Sequence, residues 1–129
     1  MSEMSADEPL SADDSQVSGV PGAFIEGEVR ATVSQGPDKG LSISLHKRVV
    51  VIGTDPACDL VLTDRTVSRR HLDLHRTQTG VQVEDAGSKN GTYHDGVKLG
   101  KLLLFGPARL RLGPHTEIEI HAADEPVAL

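Results

Sequence analysis

The chain has 129 residues, 37% of them hydrophobic, which is enough for one modest core and a single folded domain. Its net charge of −6 is unevenly placed: residues 1–25 carry Glu3, Asp7, Glu8, Asp13 and Asp14 and no Lys or Arg, whereas residues 26–121 hold 12 acidic against 13 basic residues. A nearly neutral folded part excludes the broad basic field of a general nucleic-acid binder, and no run of about 18 apolar residues is present to span a bilayer.

Residues 1–25 are rich in Ser, Asp, Glu, Ala and Gly and lack apolar periodicity, so they bury too little surface to offset their ordering entropy and read as a disordered acidic tail. From Glu28 onward the pattern is one of short apolar segments split by turn residues, with no sustained helical period. Val29, Ala31 and Val33 alternate, residues 35–40 form a Gly-Pro turn, and Leu41, Ile43 and Leu45 alternate again, an opening hairpin. Residues 49–52 are a β-branched-rich run suited to a buried strand that ends at Gly53 and the Asp55-Pro56 pair. Residues 59–62 form a short extended piece, and alternation at 71–76 and at 81–84 gives two strands around a turn at 78–80. Residues 101–105, 108–112 and 116–120 follow, separated by Gly-Pro turns. About nine to eleven short, mainly antiparallel strands therefore fill residues 26–121, an all-β sandwich. With only Phe24, Phe105 and Tyr93 as aromatics, its core is built from Leu, Ile and Val. Residues 122–129 read as a C-terminal tail or the start of a linker.

Two loops concentrate polar chemistry. Residues 63–70 offer Thr66, Ser68, Arg69 and Arg70 in quick succession, and residues 86–91 offer Ser88, Lys89 and Asn90. A phosphate dianion needs several donors converging from loops on a rigid scaffold, because charge-assisted hydrogen bonds to its oxygens exceed neutral ones in strength. A sandwich that brings both loops to one edge meets that need.

The segments Gly53-Thr54-Asp55-Pro56, Thr66-Val67-Ser68-Arg69-Arg70-His71 and Asp85-Ala86-Gly87-Ser88-Lys89-Asn90-Gly91-Thr92 together resemble the forkhead-associated (FHA) family. That family carries a Gly-Arg pair at a strand end, then a Ser-x-x-His loop, then an Asn-Gly turn. The resemblance covers residues 28–121 and implies an FHA-type β-sandwich that binds phosphothreonine peptides in bacterial Ser/Thr kinase signalling. It implies that Ser68 donates its hydroxyl and backbone amide to the phosphate, that Arg69 and Lys89 supply charge, and that Asn90 bonds the peptide backbone. It further implies that His71 braces the Ser68 loop from beneath and that Gly53 and Gly91 support the site, Gly91 by turning with positive φ. Thr54 stands where the family most often has Arg, so one bidentate donor is replaced by a hydroxyl and binding is expected to be weaker than is typical of the family. The wording of these segments further resembles the N-terminal FHA domains of bacterial sigma-54-dependent transcription activators, which implies a sensory domain of a larger regulator. Some small bacterial FHA proteins bind their own phosphorylated N-terminal threonine; residues 1–31 contain no Thr, so no such self-inhibition is expected.

Other functions fare worse. Ser68, His71 and Asp64 sit in one loop without a Gly-x-Ser-x-Gly elbow or an evident oxyanion hole, so the chain is not expected to be an enzyme. His71, His75, His94, His115 and His121 fall in no metal-ligand spacing, and neither metal nor cofactor is called for. Cys58, the single cysteine, reads as a small buried hydrophobe, and a chain without a disulfide or signal peptide suits the cytoplasm. The expected partner is a phosphothreonine-containing protein, with no direct contact to nucleic acid or membrane. The alternative is a phosphate-independent docking or oligomerisation domain with the same fold.

Overall fold

The structure, a computed structural model, describes residues 27–123; the expected tail at 1–25 and most of that at 122–129 lie outside the described residues. Eleven strands run in chain order, β1 (Val29–Gln35), β2 (Ser42–Ser44), β3 (Val49–Gly53), β4 (Leu60–Val61), β5 (Leu72–Arg76), β6 (Val81–Asp85), β7 (Thr92–His94), β8 (Val97–Leu99), β9 (Lys101–Leu104), β10 (Ala108–Leu112) and β11 (Thr116–Ala122). They form two sheets, one of five strands in the order β9-β6-β5-β3-β4 and one of six in the order β2-β1-β11-β10-β7-β8. Every neighbouring pair is antiparallel except β3 and β4, where Ile52 lies opposite Leu60 and Gly53 opposite Val61. The all-β expectation holds: the described residues contain no helix, and so none able to cross a membrane.

The core lies between the sheets because the period of two puts one side-chain set of each strand inward. Val50, Ile52, Leu72, Leu74, Val81 and Val83 face it from the five-stranded sheet, and Val29, Ala31, Val33, Leu110, Leu112, Ile118 and Ile120 from the other. Cross-strand pairs within each sheet, such as Val50 with Leu74, Leu74 with Val83 and Leu110 with Ile118, stack these side chains in register. Each fully buried Val, Leu or Ile contributes about 1.5–3 kcal/mol of transfer free energy, so the ladder pairs hold the sandwich without aromatics. Phe105 is 58% exposed and Tyr93 only half-buried, as a core of branched aliphatics requires.

Two local readings are corrected. Leu41 does not join the inward set: it is 45% exposed in the turn, where its amide donates to the Asp38 carbonyl, and β2 is confined to residues 42–44. The sequence reading also passed over the β7–β8 hairpin. Its two-residue turn is Asp95-Gly96, both residues at positive φ (52° and 78°), which is the type I′ geometry that Asp-Gly favours.

Gly80 and Gly100 give a test of the packing at the β6–β9 edge. A Cβ on Gly80 would lie 2.0 Å from the Leu104 carbonyl oxygen, whereas one on Gly100 meets nothing within 4 Å. Gly80→Ala is expected to cost about 1–3 kcal/mol in urea unfolding, and Gly100→Ala to stay within about 0.5 kcal/mol of wild type.

Candidate functional site

The loops at 54–59, 62–71 and 86–91 meet at one edge of the sandwich. The first is joined to the second through the backbone: the Thr54 amide donates to the Ser68 carbonyl and the Asp55 amide to the Arg69 carbonyl, both at 3.1 Å. That approach requires glycine at 53, where a Cβ would fall 2.0 Å from the Arg69 carbonyl oxygen.

The 62–71 loop is pinned from below. Leu62 and Val67 are buried in the core, and the carboxylate of Asp64 turns inward beside them. One Asp64 oxygen accepts the Thr66 amide (2.9 Å) and hydroxyl (2.7 Å), and the other accepts the Thr116 hydroxyl on β11 (2.6 Å). Burial alone would raise the Asp64 carboxyl, but the Thr116 and Thr66 donors outweigh it and hold the group below the usual carboxylate range. Upstream, Asp38 from the β1–β2 turn accepts both the amide and the hydroxyl of Thr63, at 2.7 and 2.8 Å. The 86–91 loop folds around Asp85 in the same manner. Its carboxylate accepts the amides of Gly87 and Ser88 and the hydroxyls of Ser88 and Thr92, at 2.6–3.0 Å. Burial opposes ionisation here too, and the Ser88 and Thr92 hydroxyls reverse the balance, so this carboxyl is also lowered.

His71 ties the two loops together. Its ring is 0% exposed, Nδ1 accepts the Ser68 amide at 3.0 Å, and Nε2 lies 2.9 Å from the Gly91 carbonyl oxygen. Both bonds form in a single tautomer, the neutral ring with its proton on Nε2 donating to Gly91. Burial pushes its pKa below the ordinary 6.5, against the opposing pull of the Gly91 carbonyl, Asp85 and Asp64. Gly91 takes φ 85°, as expected of it.

Above this base the rim closes through two cross-loop bonds, the Lys89 amide to Ser68 Oγ (2.9 Å) and Asn90 Nδ2 to the Thr66 carbonyl (2.8 Å). Ser68, Arg69, Lys89, Asn90 and Thr54 all line one open cleft of about 360 Å³, together with Thr63, Arg65, Thr66 and Val67. Among the described residues, no carboxylate lines it. Since Ser68 Oγ accepts from Lys89, its own hydroxyl hydrogen remains to be donated, and the Asn90 carbonyl remains to accept. A larger cleft of about 670 Å³ meets the first at Asn90 and carries both signs of charge on Arg109, Arg111, Asp95 and Glu117.

Two expectations change in detail. The Ser68 amide is not presented to the cleft, because His71 Nδ1 takes it. Arg69 is 82% exposed, but its guanidinium is paired with Asp55, whose carboxyl the Ala57 amide and then Arg69 hold low. Sequence reasoning missed Asp38 and Arg65, and it named Asp64 only in the rejected catalytic set and Asp85 only within a motif, without their capping role. The Asp64-x-Thr66 and Asp85-x-x-Ser88 spacings were the available signals for the two capping carboxylates. Arg70 forks onto Asp73 (3.1 and 2.7 Å) outside the cleft. Cys58 is half-buried, its thiol pushed up by burial and bonded to the Arg69 carbonyl at 3.1 Å.

The buried neutral His71 sets a pH dependence. A histidine whose folded pKa lies below 6.5 contributes stability that is complete above pH 6.5 and is lost as pH falls through the folded value. Urea unfolding across pH 7.5 to 5 is expected to show this decline in the wild type. His71→Gln should flatten it while losing about 1–3 kcal/mol at pH 7.5, since a buried donor or acceptor is left unpaired.

Residues 32–123 match the family model described as the cytoplasmic domain of the inner membrane component of the T3SS. The chain is similar to the oxoglutarate dehydrogenase inhibitor of Corynebacterium jeikeium, with 29% identity over 125 residues covering 97% of this chain and 84% of that protein. It is similar also to the glycogen accumulation regulator GarA of Mycobacterium tuberculosis, with 33% identity over 100 residues, 78% of this chain but 61% of GarA. Among solved structures, an FHA domain studied for its phosphothreonine-dependent interactions superposes with a TM-score of 0.67 at 27% identity, over 78% of this chain and 99% of that one. Two sheets in this order, the bridged Ser-x-x-His and Asn-Gly loops and these matches agree: the chain belongs to the forkhead-associated domain family, matched through the model of the T3SS inner membrane component's cytoplasmic domain.

Proposed function

We propose that this protein is a phosphothreonine-peptide-binding module of Ser/Thr kinase signalling, and that it acts by docking and catalyses nothing. The observation that carries the reading is the cleft at the rim, where the hydroxyls of Ser68 and Thr54 and the cations Arg65, Arg69 and Lys89 converge with no carboxylate among the described residues that line it. Such a cleft suits a dianion, since hydrogen bonds to charged groups are worth about 1.5–3 kcal/mol each. Ser68 donates its hydroxyl to the phosphate, Lys89 and Arg69 bring charge, Asn90 accepts from the peptide backbone, and Thr54 contributes a single hydroxyl. The nearness of a dehydrogenase inhibitor and a glycogen regulator favours a module that controls metabolic proteins. A sensory role in a sigma-54-dependent transcription activator is the narrower reading, and it rests on the wording of the three loop segments alone.

One observation favours a second reading. Thr54 stands where the family most often has its phosphate-reaching arginine, and the matching family model describes a component of a secretion assembly, so a docking domain indifferent to phosphate is the competitor. A phosphothreonine peptide library and its unphosphorylated twin separate the two. The proposed function predicts selective capture of the phosphorylated pool, a loss of about 10- to 100-fold on Ser68→Ala, and a gain of about tenfold on Thr54→Arg. Equal capture of both pools would establish the docking reading instead.

A further inference from the structure

The cation best placed to meet a phosphate is not the one next to Ser68 in sequence. Arg69 already spends its guanidinium on Asp55, and Arg70 spends its fork on Asp73. Two other cations line the cleft, Arg65 and Lys89, and neither side chain forms a hydrogen bond or ion pair among the described residues. Lys89 is a point charge on a flexible stem, whereas Arg65 presents the planar fork that matches two phosphate oxygens at once.

The backbone on both sides of Arg65 is fixed. Thr63 is held by Asp38 through its amide and hydroxyl, and Thr66 is held by the buried Asp64 through the same two groups. With Asp64 turned into the protein, its neighbour Arg65 is exposed on the cleft side. Thr54 lines the same cleft, and its short side chain carries no guanidinium into it.

Resting on the phosphopeptide reading above, we propose that Arg65 is the phosphate-binding arginine of this protein. It delivers from the 62–71 loop the guanidinium that Thr54 does not deliver from the end of β3, and Arg69 serves chiefly as the ion pair that holds the 54–59 loop.

The test measures affinity by fluorescence anisotropy for a phosphothreonine peptide library and its unphosphorylated twin. Wild type is measured first, and equal binding to both pools sinks the phosphopeptide reading and Arg65 with it. Given selective wild-type binding, Arg65→Ala is expected to weaken the phosphorylated pool about 10- to 100-fold, with Arg65→Lys recovering part of the loss. Arg69→Ala should lose less than Arg65→Ala. Arg70→Ala makes the same change in net charge outside the cleft and should stay within about twofold of wild type. Adding Thr54→Arg to Arg65→Ala should restore binding, a rescue that general destabilisation would not give. The proposal is overturned if Arg65→Ala stays within about twofold of wild type with an unchanged unfolding midpoint, or if Arg69→Ala costs as much.

Discussion

The site depends on one buried ring. His71 accepts the Ser68 amide through one nitrogen and meets the Gly91 carbonyl through the other, so a single side chain spans the base of two loops that belong to different strand connections. The 62–71 loop joins β4 to β5 within one sheet, and the 86–91 loop carries the chain from β6 in that sheet to β7 in the other. The β5–β6 ladder, with Leu72 opposite Asp85 and the Ala86 amide on the His71 carbonyl, joins the two loops at their bases but does not tie Ser68 to Gly91. The imidazole does, and it does so as a neutral group in one tautomer, because a charged ring would leave the Ser68 amide facing a donor. Burial supplies the needed bias by disfavouring the charged form. The rim bonds from Lys89 to Ser68 and from Asn90 to Thr66 then close over a base whose spacing is already set.

A second layer of order comes from carboxylates that never reach the cleft. Asp38, Asp64 and Asp85 each accept from a Thr or Ser hydroxyl and from at least one backbone amide, and each fastens one segment of the rim. Short loops cannot satisfy their own amides through strand pairing, so a side-chain acceptor takes over that task. The arrangement has an electrostatic consequence. Asp64 and Asp85 stay ionised beneath a site suited to an anion, and their field opposes the ligand the rim would attract. Cations that line the cleft, Arg65, Arg69 and Lys89, are therefore needed partly to offset the protein's own internal charge.

How much of this was legible in the sequence follows from the range of each interaction. Strands built on period-two alternation, such as β1, β5 and β6, were readable because their side chains choose a face locally, and β3 was readable as a β-branched run that Gly53 ends. The β7–β8 hairpin was missed although Asp95-Gly96 announces it, since three-residue strands carry too little alternation to stand out. Leu41 was misplaced because a turn, not a strand face, decides its environment. At the site, Ser68, His71, Asn90 and Gly91 were found through their motif, and the structure brings all four together. Asp38 and Thr116 could not be found that way. Their partners, Thr63 and Asp64, are far off in the chain, and only the closed sandwich makes them neighbours. The ion pair of Arg69 with Asp55 was hidden for the same reason, being a contact between two loops that face each other across β3 and β5.

Position 54 shows how the fold separates scaffold from charge. Its contribution to architecture is made by the backbone: the Thr54 amide reaches the Ser68 carbonyl, and Gly53 permits the approach by leaving no Cβ against Arg69. Any residue with an amide keeps that bond, so exchanging an arginine for a threonine leaves the rim in place while removing a guanidinium from it. The Ser68 loop is held by His71 and Asp64, neither of which touches the side chain at 54. Charge in such a cleft is consequently free to move between loops without altering the fold, provided that each loop is fixed by bonds other than those that the ligand uses. The loop at 62–71 meets that condition on both sides of Arg65, through Thr63 and Thr66, and the loop at 54–59 meets it through the backbone bonds of Thr54 and Asp55.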